Sequence, residues 1–160
     1  MPMENSRQTS LSGSVCNPSV SPCIGGFARL ATLIREALVR DPESLVLNAG
    51  DTFQGTIWYN LLRWNVTQDF MNMVHHDGHS SQYSVLGNHE FDNGIEGVVP
   101  YLQELKSPVV TANIIDDEEP TIQGLYQPSI IVTKNGRKIG IIGVIISSTN
   151  VSFNSITCKY

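Results

Sequence analysis

The stretch VLGNHEFDNG, residues 85–94, decides how this chain is interpreted. It begins with an apolar, strand-like run, ends in an Asn-Gly turn, and carries an amide, an imidazole and two carboxylates between them. Such side chains bind metal ions and transfer protons, so the pattern predicts a functional loop at the end of a strand. The alternative is an Asn/Asp turn with a helix-capping carboxylate and an incidental histidine. Only the context of the motif separates the two interpretations.

The segments around this stretch alternate between helical and strand patterns. Apolar residues at helical spacing predict a helix over residues 27–40, which ends before Pro42 because a residue preceding proline avoids helical backbone angles. The other predicted elements are a buried strand at 44–47, a helix within 57–75 that residues 65–67 can interrupt, a strand at 83–86, a helix at 94–106, and strands at 108–113, 129–134 and 137–146. Asn135-Gly136 predicts a two-residue hairpin turn with positive φ at both positions. This alternation favours an α/β fold with a largely parallel sheet.

Polar side chains follow two successive predicted strands. Asp51 comes after the first strand, while Asn88 and His89 come after the second, 37 residues beyond Asp51. This separation suits a strand-helix-strand crossover, and ligands collect at the carboxyl ends of parallel strands. Asp51 can bridge two divalent ions, and Asn88 offers a neutral ligand oxygen. His89 then faces a phosphoryl group, and Asp92 holds its tautomer and raises its pKa.

Composition and missing motifs exclude several classes of protein. The chain has 160 residues, a net charge of −5 and no Lys/Arg cluster, so a nucleic-acid polymer is not the expected partner. No apolar run is long enough to be a transmembrane segment. The second histidine of H-E-x-x-H, a phosphate-binding P-loop and a G-x-S-x-G nucleophile motif are all missing from the sequence. His75, His76 and His79 surround an Asp-Gly turn signal, which favours a solvated loop over a metal site.

Weaker signals point to an extracellular protein. Asn65 and Asn150 lie in N-glycosylation sequons, although the sequence shows no signal peptide. Cys16 and Cys23 are close enough in sequence to close a small loop, with Cys158 left over. Three unpaired thiols fit the sequence equally well.

Four phrases, CIGGFARLATLIRE, LVLNAGDTFQGTIWYN, LGNHEFDNGIEGV and VVTANI, together resemble the N-terminal metallophosphoesterase domain of the 5'-nucleotidase family, including animal ecto-5'-nucleotidases and salivary apyrases. The resemblance covers about residues 23–146. It implies a calcineurin-like four-layer α/β/β/α sandwich that hydrolyses nucleoside 5'-phosphates such as AMP, ADP or ATP with two divalent metals, usually Zn²⁺. It also implies an extracellular or cell-surface location and a frequent homodimeric state.

The resemblance also assigns roles to individual residues. Asp51 matches the bridging metal ligand, and Asn88 matches a ligand of one metal. His89 and Asp92 match the catalytic dyad of the family. A disulfide between Cys16 and Cys23 is implied in the same way.

Family members open with a strand ending in D-x-H and carry two later histidines in G-H motifs, neither of which this sequence shows. We therefore expect a tail or loop at residues 1–22, a partial domain lacking its first strand at 23–146, and a divergent end at 147–160. Because each metal needs about four or more ligands, little or no turnover is expected. The alternatives are a non-catalytic truncated product that acts by binding or association, and a related cyclic-nucleotide or nucleotide-sugar phosphoesterase.

Overall fold

The structure is a computed structural model that describes residues 8–9, 16–20, 22–74, 82–147, 149 and 157–158. The helices are α1 Phe27–Arg40, α2 Ile57–Leu62, α3 Trp64–Val74 and α4 Gly94–Glu104, with a 3₁₀ helix at His89–Phe91. The strands are β1 Gln8–Thr9, β2 Ile24–Gly25, β3 Val46–Asn48, β4 Gln82–Ser84, β5 Ile114–Ile115, β6 Ser129–Lys134, β7 Arg137–Ile142 and β8 Thr157–Cys158.

Helix α1 has the bounds that the sequence predicts. Asp41, which precedes Pro42, has extended backbone angles (φ −140°, ψ 94°), as a residue before proline should. The amphipathic pattern is only partly followed, because Ala31 and Leu38 are buried whereas Leu30 is 51% exposed.

The two strands that precede the candidate site pair in parallel. Val46 lies opposite Gln82 and Asn48 lies opposite Ser84, so β3 and β4 end side by side. Their carboxyl ends therefore deliver the loops after both strands to one edge. The prediction of a fully buried first strand is wrong, since Leu47 is 60% exposed. Alternate side chains of a strand face opposite sides, and only one side of β3 is covered among the described residues.

The predicted strand at residues 108–113 is not a continuous strand. Val109 bridges to Ser84 and Val110 bridges to Gln127, each as a single parallel pair. The backbone N–H of Val110 donates to Ser84 O at 2.8 Å, and that of Thr111 donates to Gln127 O at 2.8 Å. Residues 109 and 110 therefore lie between Ser84 and Gln127, as an inner strand does, but each ladder has a single residue pair.

The helix predicted within 57–75 is divided at Arg63, earlier than the predicted interruption at 65–67. Arg63 has φ 55° and ψ −140°, outside the helical region, and α3 begins at the next residue. Residues 65–67 therefore lie inside α3. The predicted end of this helix, at position 75, is outside the described residues.

The hairpin of β6 and β7 forms as predicted, with φ 50° at Asn135 and 69° at Gly136. Strand β7 ends at Ile142 and not at position 146. Beyond that point the chain leaves β6, and Ala112 N donates to Gly143 O at 2.8 Å.

The main core lies beneath the loops that follow β3 and β4. Phe53 packs against Tyr59 and Tyr101, with ring centroids 5.1 and 5.0 Å apart. Leu86 and Phe91 are buried in the same cluster, so the residues on either side of the candidate site are anchored in the core. Within the described ranges, no helix is long and apolar enough to cross a lipid bilayer.

Candidate active site

Two glycines allow the loops after β3 and β4 to approach each other closely. A Cβ atom at Gly50 would lie 2.8 Å from Val85 O and closer still to Gly87 N. A Cβ atom at Gly87 would clash with the backbone and carboxylate of Asp51. Gly50 also has φ 86°, which L side chains rarely adopt. These two positions require glycine because the loops touch through their backbones.

A buried carboxylate joins the two loops. Glu90 is 1% exposed, and its Oε2 accepts hydrogen bonds from the backbone N–H groups of Asp51 (2.9 Å) and Gly87 (2.7 Å). Its Oε1 accepts from Thr52 N (2.5 Å), Thr52 Oγ1 (2.7 Å) and Phe53 N (3.3 Å). Buried charge is tolerated when it is hydrogen-bonded in this way. Glu90 thus holds the loop that carries Asp51 against its own loop.

Sequence reasoning missed the role of Glu90. A signal was present, because Glu90 precedes Phe91, which is buried in the core, and follows a glycine-containing loop rich in backbone donors. A carboxylate drawn into the interior must find such donors. All of these donors except Gly87 N lie 37 to 39 residues earlier in the chain, and their location is visible only in the fold.

Asp51 lies at the contact between the loops in a strained conformation. Its φ is 55°, uncommon for a residue other than glycine, and its Oδ1 accepts a hydrogen bond from the backbone N–H of His89 at 3.1 Å. Backbone strain of this kind persists only where surrounding contacts hold it, and it clusters at functional sites. The carboxylate is exposed, so it can reach a ligand.

His89 and Asp92 form a hydrogen-bonded pair. His89 Nδ1 and Asp92 Oδ2 are 2.7 Å apart, and the side chains are 46% and 27% exposed. This hydrogen bond and the charge of Asp92 raise the pKa of His89 above its ordinary value. Because a carboxylate only accepts, Nδ1 carries the proton and Nε2 remains available to a substrate. Gln54 Nε2 also donates to Asp92 Oδ2, at 2.5 Å.

Tyr59 supports the turn that follows this pair. Its hydroxyl donates to Asn93 Oδ1 at 2.5 Å, and burial, together with the charge of Asp92, raises the pKa of Tyr59 to about 12. The phenol therefore stays protonated and keeps donating across the physiological pH range.

Asn88 precedes the 3₁₀ helix and is half-buried, and its backbone carbonyl accepts from Phe91 N at 3.2 Å. The structure thus brings Asp51, His89 and Asp92 into one hydrogen-bonded group and places Asn88 next to it in the chain. In the described part of the chain, no group of three or more His, Cys, Asp or Glu side chains suits a metal ion. Asp51 and Asn88 supply two oxygen donors of the kind that divalent cations accept, so these residues fit part of a metal site.

Other predicted positions lie away from this group of residues or outside the described ranges. Cys16 and Cys23 form a disulfide with Cα atoms 5.5 Å apart, and Arg29 Nη1 donates to Cys23 O at 2.6 Å. Asn65 is exposed in the first turn of α3. Outside the described residues are the second sequon at Asn150, the side chain of Cys158, and the three histidines at positions 75, 76 and 79.

The fold and the sequence identify the class of the protein. The sequence profile of the calcineurin-like phosphoesterase family matches residues 16–158, beyond both ends of the predicted 23–146 region. The chain belongs to this family, which makes it a hydrolase by family and confirms the predicted fold class.

Within this family the chain is similar to apyrases and 5'-nucleotidases, as its motifs predict. An apyrase of Tabanus yao is 47% identical over 143 residues, which cover 89% of this chain and 25% of that protein. The 5'-nucleotidase of Bos taurus is 41% identical over 140 residues, which cover 85% of this chain and 23% of that protein. The crystal structure of a 5'-nucleotidase precursor from Thermus thermophilus superposes with a TM-score of 0.81 at 30% identity, covering 99% of this chain and 29% of the other. The chain therefore spans about a quarter of the length of its curated relatives.

Proposed function

We propose that the loops after β3 and β4 belong to a metal-dependent site that hydrolyses nucleoside 5'-phosphates, as a 5'-nucleotidase or apyrase does. The observation that carries the proposal is the hydrogen-bonded group of Asp51, His89 and Asp92 at the carboxyl ends of two parallel strands. Similarity to proteins named apyrase and 5'-nucleotidase supports the substrate class.

Asp51 and Asn88 are the residues that would hold divalent metal ions. Bound metal lowers the pKa of a coordinated water and balances the charge of the phosphate. We propose Zn²⁺, which accepts carboxylate oxygen and nitrogen ligands. The exposed carboxylate of Asp51 extends from a backbone with positive φ and accepts a hydrogen bond from His89 N at 3.1 Å, so little rearrangement is needed before a ligand binds.

His89 would act on the substrate through Nε2. Asp92 holds the ring by Nδ1 and favours the protonated imidazole. Attack of hydroxide, formed when a metal-bound water would lose its proton to solvent, forms one P–O bond and breaks the P–O bond to the leaving group. The leaving group is the nucleoside 5'-oxygen in AMP and the α-phosphate of AMP in ADP. The imidazolium can stabilise charge on a phosphoryl oxygen and donate its Nε2 proton to the leaving oxygen.

The disulfide supports an extracellular or cell-surface location, and Asn65 is exposed, although Thr67 of the same sequon is buried. A homodimer remains part of the proposal on family resemblance alone.

The test is phosphate release from AMP and ADP with added Zn²⁺, Mn²⁺ or Mg²⁺. We expect at most slow release, because Asp51 and Asn88 supply only part of a metal site. A chelator should abolish this release, and His89→Ala should slow it by about 10²–10⁴-fold. Asp92→Asn should also slow release, whereas its matched control Asp69→Asn, on the exposed surface of α3, should keep the parent rate. The proposal fails for this chain if no phosphate is released, or if release is unaffected by His89→Ala.

A further inference from the structure

The carboxylate of Asp92 has a second partner that belongs to the other loop. Asp92 Oδ2 accepts from His89 Nδ1 at 2.7 Å and from Gln54 Nε2 at 2.5 Å. The first contact spans three residues, whereas the second spans 38. One oxygen of Asp92 therefore connects the histidine to the loop that carries Asp51.

Without a second donor, the Asp92 carboxylate would be weakly restrained. It is partly exposed and sits at the end of a three-residue 3₁₀ helix, and His89 is nearly half exposed. Exposed side chains exchange between rotamers within nanoseconds, so one hydrogen bond between two such groups does not fix either of them. A donor from a second loop restricts the carboxylate and, through it, the imidazole ring.

The backbone of the first loop is shaped so that Gln54 can reach this position. Gln54 has φ 78° and Gly55 has φ 90°, and both lie in the left-handed region. A glutamine is rarely found there, so surrounding contacts must hold it. Its amide is neutral, which adds a hydrogen bond to Asp92 without a positive charge that would compete with His89.

We infer that Gln54 is a positioning residue of the active site: its amide fixes the Asp92 carboxylate and thereby orients the His89 imidazole. The inference rests on the proposed function for its catalytic consequence. Its structural content, that the two loops share one hydrogen-bonded group, does not depend on turnover.

The structural test is NMR of the His89 side chain in the 160-residue chain, with χ1 rotamers determined from three-bond couplings. We expect one dominant rotamer in the parent protein and averaging over two or more rotamers in Gln54→Met, which removes the donor and keeps the side-chain length. Gln123→Met is the matched control, because Gln123 Nε2 donates to the Asp116 carbonyl at 2.8 Å and should leave His89 ordered. A single His89 rotamer in Gln54→Met would overturn the inference.

A second variant covers the case in which Gln54→Met disturbs the loop. Asparagine tolerates positive φ better than most residues, so Gln54→Asn keeps the backbone but shortens the side chain. The three-bond couplings of His89 in Gln54→Asn should therefore report two or more χ1 rotamers, as in Gln54→Met. An ordered His89 in Gln54→Asn would also overturn the inference.

The catalytic test is a double-mutant cycle with Asp92→Ala, measured by phosphate release. Gln54→Met should lower kcat by about 10- to 100-fold with KM within about twofold, because orientation and not binding is lost. In the Asp92→Ala background the same change should have almost no effect. If Gln54→Met lowers kcat by the same factor with and without Asp92→Ala, or raises only KM, then Gln54 acts on the substrate independently of Asp92 and the inference is overturned. If the proposed function is wrong, no phosphate release will be measured, but the effect of Gln54→Met on the His89 rotamers will still be seen by NMR.

Discussion

Replacing Glu90 by glutamine tests whether this buried carboxylate holds the two loops together. The side chain keeps its size, but one oxygen becomes an NH₂ donor that faces N–H donors. If the amide nitrogen replaces Oε2, the bonds from Asp51 N (2.9 Å) and Gly87 N (2.7 Å) are lost. If it replaces Oε1, the bonds from the backbone N–H groups of Thr52 and Phe53 are lost, whereas the Thr52 hydroxyl can accept from the new NH₂ group. Either orientation therefore loses two bonds.

The expected destabilisation is large. A hydrogen bond to a charged group contributes about 1.5–3 kcal/mol, so two lost bonds cost about 3–6 kcal/mol. This is a substantial part of the roughly 5–15 kcal/mol by which domains are stable. For a chain of 160 residues, each kcal/mol lowers Tm by about 2–4 °C, so Tm should fall by at least about 6 °C.

The assay is thermal and urea unfolding followed by circular dichroism. Glu36→Gln, at an exposed position on α1, is the matched control and should change the free energy of unfolding by less than about 0.5 kcal/mol. If Glu90→Gln unfolds together with this control, Glu90 does not join the loops and the reasoning is refuted.

Three further predictions follow from the geometry of the site. Asp92→Asn should lower the pKa of His89 towards its ordinary value, as measured by NMR titration of the metal-free protein. In the parent protein, the hydrogen bond between His89 and Asp92 adds stability that is fully present below pH about 6.5. This stability is lost as the pH rises through the raised pKa of His89. Gly87→Ala should lower the free energy of unfolding by about 1–3 kcal/mol in urea, because its Cβ would clash with the opposite loop, whereas Gly140→Ala meets open space and should be nearly neutral. Tyr59→Phe should cost about 1–3 kcal/mol in the same assay, because it leaves a partly buried acceptor in the following turn without its donor; equal stability would contradict the 2.5 Å bond.

Local signals in the sequence predicted local structure well. Helix α1 ends at Arg40, as Pro42 requires, and the Asn135-Gly136 turn has the two positive φ values that the pair predicts. These features depend on neighbouring residues only, so periodicity and turn chemistry suffice.

Features that depend on distant partners were not predictable in the same way. The segment at 108–113 has a strand pattern, but its hydrogen bonds alternate between two neighbours that only the fold supplies. The helix break at Arg63 has no Gly or Pro signal. In the site, Asp51, Asn88, His89 and Asp92 were identified by motif, and their roles remain predictions.

The most direct test of the site is the location of a bound metal ion. Mn²⁺ broadens the NMR signals of nearby amides, and the experiment needs neither turnover nor tight binding. We predict that broadening centres on residues 50–52 and 87–89 and disappears in Asp51→Ala. Broadening centred on the acidic residues 116–119, or unchanged in Asp51→Ala, would contradict a metal site between the two loops.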